Sequence, residues 1–128
     1  MGKKWRGKIK ENILFLRTKK FAVDLVKFAE TLPYSRAGKV YADQVIRSGT
    51  STYLNYRAAK QARSTAEFIS KLGVSQEESD ETVAWLELIG ETIEVDKIKY
   101  EPLLKEAGEI FAMLTASLKT AKQNSRKN

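Results

Sequence analysis

Four long segments of this chain repeat their apolar residues with the period of an α-helix, and this pattern constrains the fold more than any other feature. In the first segment, about residues 10–31, the heptad-like positions are Leu14, Phe21, Leu25, Phe28 and, just beyond it, Leu32. Only seven glycines and two prolines interrupt the 128 residues, and no stretch alternates apolar and polar residues as a strand does. The fold is therefore predicted to be all-α.

Breaking and capping residues separate the four helical segments. Pro33 ends the first helix, because a proline cannot continue the backbone hydrogen-bond ladder. The second helix is expected over about residues 36–62, and the sequence STAE at residues 64–67 fits a capping box that begins the third. Gly90 is a C-terminal signal for that helix, and Pro102 suits the first turn of the fourth.

Four helices of about 20–27 residues with short connections favour an antiparallel up-down-up-down four-helix bundle. We expect the bundle to span residues 10–122, with a basic N-terminal tail at residues 1–9 and a basic C-terminal tail at residues 123–128. In this topology the first helix begins and the fourth helix ends at the same pole. The two basic tails are therefore predicted to meet there.

The net charge of +7 is concentrated at the two ends of the chain. Residues 1–20 carry eight Lys/Arg and one Glu, residues 119–128 carry four Lys/Arg and no acid, and the remainder is net negative. Such asymmetry indicates an anionic partner, and we predict that RNA phosphates contact Lys3, Lys4, Arg6, Lys8, Lys10, Lys19, Lys20, Lys119, Lys122, Arg126 and Lys127. Trp5 is a candidate to stack on a base or to pack on the bundle. The alternative is a pair of solvated, frayed tails.

Small and polar residues occupy core positions in the middle of the second and third helices. Small side chains let two helices approach closely, and buried hydroxyls can bond to carbonyls one turn back. We call this set the polar seam; it consists of Ser48, Thr52, Asn55, Ser75 and Ser79. Asn55 is expected to form a hydrogen bond across the gap between the two helices, and Arg47 lies next to the seam in the sequence. The alternatives are a ligand pocket lined by the hydroxyls and an oligomer interface or pore.

The first and third helices carry more apolar residues than one bundle core needs. The additional residues are Val23 and Val26 on the first helix and Trp85 and Leu88 on the third. A helix that is apolar on more than one face is usually buried on more than one face. We therefore predict that these residues form a self-association interface. The alternative is a scatter of exposed apolar residues, which is common on monomers.

The chain contains no cysteine and no histidine, which removes several classes of function. Disulfides, zinc sites, Ser-His-Asp triads and Cys-His pairs are excluded, because each needs a thiol or an imidazole. The acidic cluster at residues 77–81 lacks the Glu-x-x-His motif of di-metal bundles. We interpret it as a solvated face that pairs with Lys71 or Arg57. No catalytic residue, cofactor or metal is therefore predicted, and the protein is not expected to be an enzyme.

No sequence feature predicts a membrane protein. No stretch approaches 18 uncharged apolar residues, and the apolar run at residues 13–16 is too short for the core of a signal peptide. A cytoplasmic location with no membrane partner is therefore expected.

Three stretches of the chain resemble the 23S rRNA-intervening-sequence family of four-helix-bundle proteins. They read LPYSRAGKVYADQVIRSGTSTYLNYRAA, EFISKLGVSQEESDETVAWLELI and LLKEAGEIFAMLTASLKTAK, within about residues 10–122. The marks of the resemblance are Arg47-Ser48, Asn55, Glu67-Phe68, Glu81-Thr82, Trp85-Leu86 and the TASLKT sequence at residues 115–120. The chain departs from the family at residues 55–59, where it reads NYRAA and many members read a sequence like NIAEG.

The resemblance implies a bundle that assembles into a ring-like homo-oligomer, commonly a pentamer. Some members of the family are encoded in segments that interrupt 23S rRNA genes. A related bundle is the accessory protein of diversity-generating retroelements, which works with nucleic acid and a reverse transcriptase.

Three functional hypotheses follow from the residues and the resemblance together. The first is a non-enzymatic, oligomeric bundle that binds ribosomal or element-encoded RNA through its basic pole. The second is a protein–protein adaptor whose oligomer binds a partner such as a polymerase or reverse transcriptase. The third is a small-molecule site in the polar seam, which predicts a ligand that copurifies with the protein.

Overall fold

The structure, a computed structural model, describes the backbone of residues 2–127 and the side chains of residues 13–127. Within these residues the chain forms four helices, α1 (Gly2–Ala29), α2 (Arg36–Lys60), α3 (Thr65–Thr92) and α4 (Lys97–Lys127). Across the described residues the backbone of each helix packs beside those of its two neighbours in a closed ring, and the backbones of the diagonal pairs stay farther apart. This arrangement confirms the predicted all-α, up-down-up-down bundle.

The first and last helices run farther than the sequence pattern predicted. The α1 backbone begins at Gly2 rather than near residue 10, and α4 extends to Lys127 rather than residue 122. Both extensions are rich in lysine and arginine and contain no proline, and these side chains have high helix propensity. Within the described residues, therefore, the segments that we predicted as tails continue the outer helices of the bundle.

Capping side chains explain where the inner helices begin. The Ser35 hydroxyl accepts a hydrogen bond from the Gly38 amide at 3.1 Å, and the Ser64 hydroxyl accepts one from the Glu67 amide at 3.0 Å. The Glu67 carboxylate reaches back to the Arg63 amide, one residue before the position that a capping box requires. The two serine hydroxyls pair backbone amides of the first turn, which the helix itself leaves without partners.

The start of α4 differs from the sequence prediction. An aspartate, Asp96, precedes the helix and accepts a hydrogen bond from the Ile98 amide at 3.0 Å. Pro102 consequently lies inside the helix rather than in its first turn. Sequence reasoning gave the proline too much weight and overlooked Asp96, whose short carboxylate side chain is typical of a helix N-terminus.

The core lies where the four apolar stripes meet. Leu25 of α1, Val45 of α2, Leu86 of α3 and Leu114 of α4 have no exposed surface. On α4, Leu103, Ala107, Ile110 and Leu114 form a stripe at helical spacing and are buried, whereas Ala121, which continues the same spacing, is half-buried. Burial of such side chains contributes roughly 1.5–3 kcal/mol each relative to exposure, so this stripe is a main source of stability.

The polar seam lies between α2 and α3 and is closed to solvent. Ser48, Thr52, Ser75 and Ser79 are all buried, together with Thr82. The Ser75 hydroxyl donates to the Thr52 carbonyl at 2.7 Å, and the Thr82 hydroxyl lies 2.9 Å from that of Ser48. Because a buried hydroxyl without a partner is costly, these bonds allow small polar groups to occupy the core.

Close packing next to the seam explains why position 49 is a glycine. A Cβ atom at this position would overlap the side chain of Leu25, which is fully buried in α1. The glycine therefore lets α1 approach α2 at the level where the hydroxyls let α2 approach α3.

Asn55 does not have the bonding role that we predicted. Its side-chain amide donates to the carbonyl and the hydroxyl of Ser51, both at 2.9 Å and both in its own helix. Tyr56 takes the buried position instead. The physical reason is that an α-helix has about 3.6 residues per turn. The inward-facing position therefore shifts by one residue after Thr52, from residue 55 to residue 56.

We expect leucine at the seam to destabilise the bundle. Ser48→Leu or Ser79→Leu should lower the free energy of unfolding by about 1–3 kcal/mol, because there is no space for the added carbons. Ser70→Leu is the matched control, since Ser70 is exposed on α3. Thermal melts of the three variants test this, and seam variants that melt at or above the parent would contradict close packing.

Candidate nucleic-acid interface

The bundle topology brings three chain segments to one end of the molecule, which we call the basic pole. They are the start of α1, the turn between α2 and α3 at residues 61–64, and the end of α4. On α4, Lys119, Lys122, Arg126 and Lys127 are all exposed. The side chains of Lys3, Lys4, Trp5, Arg6, Lys8 and Lys10 lie outside the described side chains, and only their place in the α1 sequence is known.

Two predicted RNA contacts lie away from this pole. Lys19 and Lys20 are exposed near the middle of α1, and Lys20 is about 27 Å along the helix from its first residue. Lys20 pairs with Asp24 at 2.7 Å, which raises the pKa of the lysine. We grouped these lysines with the pole because they are close to the N-terminus in the chain. In space they are far from it, because the first turns of α1 lie between them and the pole.

Sequence reasoning missed three cations at the basic pole. Arg57 and Lys60 lie in the last turn of α2, and Arg63 lies in the turn that follows. The second connection of an up-down-up-down bundle is at the same pole as the two termini, so the predicted topology already contained this signal. Basic residues also suit helix C-termini because of the helix dipole, which gives them a second, structural role.

The acidic cluster has a different partner from those we predicted. Arg47 donates to Glu81 at 2.7 Å and to Glu78 at 3.2 Å on the outer surface between α2 and α3. The hydrogen bond to Glu81, followed by the charges of both glutamates, raises the pKa of Arg47. Arg57 contacts α1 instead. The Arg47 cluster therefore lies up the side of the bundle, away from the basic pole.

A second ion-pair cluster joins the two outer helices. Arg17 of α1 donates through Nε to Glu106 at 3.0 Å and through Nη2 to Glu109 at 3.1 Å, both on α4. The hydrogen bond to Glu106 is the main cause of the raised pKa of Arg17. Among the described contacts, Arg17 is thus the one cation of residues 13–20 whose side chain forms hydrogen bonds between α1 and α4.

The predicted self-association residues divide into two groups. Val23 of α1 and Leu88 of α3 are 46% and 43% exposed. Val26 and Trp85 are half-buried, and the Trp85 ring packs on Tyr41 with 6.0 Å between ring centroids. Because α1 and α3 are diagonal in the bundle, Val23 and Leu88 lie on opposite sides of the molecule.

The described residues provide no metal cluster, and two cavities that they form lie away from the polar seam. No group of three or more Asp or Glu side chains among them could hold a metal ion. The larger cavity, about 550 Å³, lies between α1 and α4 over Phe21, Phe28 and Leu103. A smaller one lies at the α1–α2 connection. No seam hydroxyl lines either of them.

None of the helices, over the residues described, has an apolar stretch long enough to cross a membrane.

Comparison with known proteins identifies a family and a similar solved structure. The model of the family described as 23S rRNA-intervening sequence protein matches residues 10–116. A crystal structure from Bacteroides thetaiotaomicron VPI-5482, described as a protein with unknown function from the S23 ribosomal protein family, is 35% identical in sequence. The match covers 86% of this chain and 98% of that one, with a TM-score of 0.78. No curated protein matches this chain.

Proposed function

This chain belongs to the 23S rRNA-intervening sequence protein family, and we propose that it is a non-enzymatic, oligomeric bundle that binds RNA through its basic pole. The observation that carries this proposal is the segregation of charge. The chain has a net charge of +7, yet the segment between residues 20 and 119 is net negative. A cationic pole on an otherwise acidic bundle is suited to a polyanion.

Phosphate contact accounts for the lysine- and arginine-rich composition of the pole. Lysine and arginine side chains on helix ends neutralise phosphates and give affinity that does not depend on base sequence. The family description refers to 23S rRNA, and the similar crystal structure carries the name of a ribosomal protein family. RNA is therefore the polyanion that these names favour.

We include self-association in the proposal because exposed apolar residues lie on two opposite faces. Leu16 and Val23 are exposed on α1, and Val74 and Leu88 are exposed on α3. Two different surfaces on opposite sides of a subunit can join head to tail, which is the type of contact that closes a ring. A homo-oligomer, with a pentamer favoured by the family resemblance, would bring several basic poles together and increase the avidity for one RNA.

A protein–protein adaptor is the second candidate function, and a separate surface favours it. Tyr34 is 89% exposed and Ile98 is 85% exposed, and both lie at the pole opposite the basic one. Exposed apolar side chains can mark a protein contact site where they form a patch. A partner such as a polymerase or reverse transcriptase could bind here while RNA occupies the other pole.

RNA affinity should fall steeply with salt. Each phosphate contact releases counterions, with a log–log slope of about −0.7 per contact on a single strand. If four to six cations engage, the slope should be roughly −3 to −4. A variant with Lys119, Lys122, Arg126 and Lys127 replaced by Ala should bind all sequences more weakly and with a flatter slope, as measured by filter binding from low to physiological salt.

The control for this experiment removes the same number of cations at the other pole. Lys27, Arg36, Lys39 and Lys99 are exposed there, and their replacement by Ala changes the net charge equally. This control should keep the parent's slope. An equal loss in both variants would show that net charge alone matters, and a parent that binds no RNA would leave the adaptor function in its place.

Self-association should depend on the α3 face. We expect the protein to exceed its monomer mass of 14.5 kDa at micromolar concentration. Leu88→Glu should shift the assembly toward monomer without loss of helical content, because a charge would be desolvated at the interface. Ile98→Glu is the control, since it adds the same charge at an exposed apolar residue away from that face. Light scattering at several concentrations, combined with circular dichroism, tests this, and a parent that remains monomeric would refute the assembly.

A further inference from the structure

An aromatic and cationic patch lies on the side of the bundle next to the basic pole. Phe15 of α1 and Tyr53 of α2 meet edge to face, with 5.5 Å between ring centroids. The guanidinium of Arg57 and the ammonium of Lys60 each lie 5.9 Å from the centre of the Phe15 ring. We call Phe15, Tyr53, Arg57 and Lys60 the stacking patch.

The stacking patch differs from the other aromatic pairs of the bundle. Every cation–π contact among residues 13–127 involves it or the adjacent Tyr56. In the Phe28–Tyr100 pair, by contrast, the Tyr100 hydroxyl donates to the Leu86 carbonyl at 2.7 Å. In the patch, the Tyr53 hydroxyl instead accepts a hydrogen bond from exposed Arg57 at 3.1 Å.

The stacking patch lies close to the cations of the basic pole, which we propose bind phosphates. Tyr53 is about 10 Å along α2 from Lys60, which occupies the last residue of that helix. Arg63 follows in the turn at the basic pole. Phe15 and Tyr53 are half-buried, so part of each side chain is solvent-accessible while the rest is held between α1 and α2. Partly exposed aromatic residues beside a row of cations suit a single-stranded nucleic acid, because its bases stack on aromatic rings while the cations track its backbone.

We propose that the basic pole is specific for single-stranded RNA, with an unpaired base stacking on the Phe15–Tyr53 patch. This inference rests on the proposed RNA binding and adds to it the class of RNA. Arg57 and Lys60 would contact the phosphates on either side of the stacked base. A duplex keeps its bases stacked on one another, so it can use the cations of the pole but not the rings.

The experiment compares one RNA in two forms. A labelled single strand of about 12 nucleotides, within the range of site sizes on such surfaces, is titrated with protein alone and after annealing to its complement. We expect fluorescence anisotropy to show tighter binding of the single strand. Tyr53→Leu and Phe15→Leu should each weaken single-strand binding about fivefold or more, which is the lower end of the loss measured for one stacked base.

Two readouts separate stacking from electrostatics and from stability. The leucine variants should leave duplex affinity and the salt slope unchanged, because no phosphate contact is removed. Tyr34→Leu is the matched control, since it removes an exposed tyrosine ring at the opposite pole. It should bind both RNA forms as the parent does. Tyr53→Phe keeps the ring and loses the hydroxyl that Arg57 contacts, and it should retain single-strand binding even if the leucine variants are less stable.

Each outcome decides the inference. A single strand and a duplex bound equally by the parent, with no effect of the leucine variants, would overturn the stacking patch and leave RNA binding at the pole intact. A loss in Tyr53→Phe as large as in Tyr53→Leu would show that the hydrogen bond to Arg57, not the ring, is responsible, and would also overturn it. A parent that binds neither form would remove the proposed function together with this inference.

Discussion

The close approach of α2 and α3 through the polar seam is the contact on which the rest of the bundle depends. Ser75 bonds to the Thr52 carbonyl across the interface, and the hydroxyls of Thr82 and Ser48 bond to each other. Small side chains bring the two backbones together, and paired hydroxyls remove the cost of burying polar groups. Leucines would have held these helices farther apart. With α2 and α3 placed in this way, the Leu25 side chain of α1 packs against Gly49, where a Cβ atom would overlap it.

The helix order turns a one-dimensional charge pattern into a surface. The two chain ends, which are rich in lysine and arginine, lie at the same pole because the chain crosses the bundle four times, an even number, between them. The turn after α2 adds Arg57, Lys60 and Arg63 to that pole. The glutamates of α3 are partly neutralised on the side of the bundle by Arg47. Charge segregation and the adjacent stacking patch are the two features on which the proposed RNA binding rests.

Much of the bundle could be predicted from the sequence, because apolar period and capping are local properties. The capping serine Ser64, the buried stripe of α4 and the pairing of the seam on α2 with that on α3 all follow from spacing. Side-chain partners were harder to predict. Asn55 bonds within its own helix, and Arg47 rather than Arg57 holds the glutamates. Such choices depend on how each helix is rotated about its axis, and a shift of one residue turns a side chain by about 100°.

The sequence by itself determined the fold class and the separation of basic ends from an acidic middle through periodicity and composition, and it indicated the family through the resemblance of three stretches, since none of these needs coordinates. Only the tertiary structure decided which cations share a surface. Lys19 and Lys20 lie too far along α1 to belong to the basic pole, whereas the three cations at the end of α2 do belong to it. The tertiary structure also placed Phe15 of one helix against Tyr53 and Arg57 of the next. Residues so far apart in the chain meet only after the core has fixed the rotation and register of both helices.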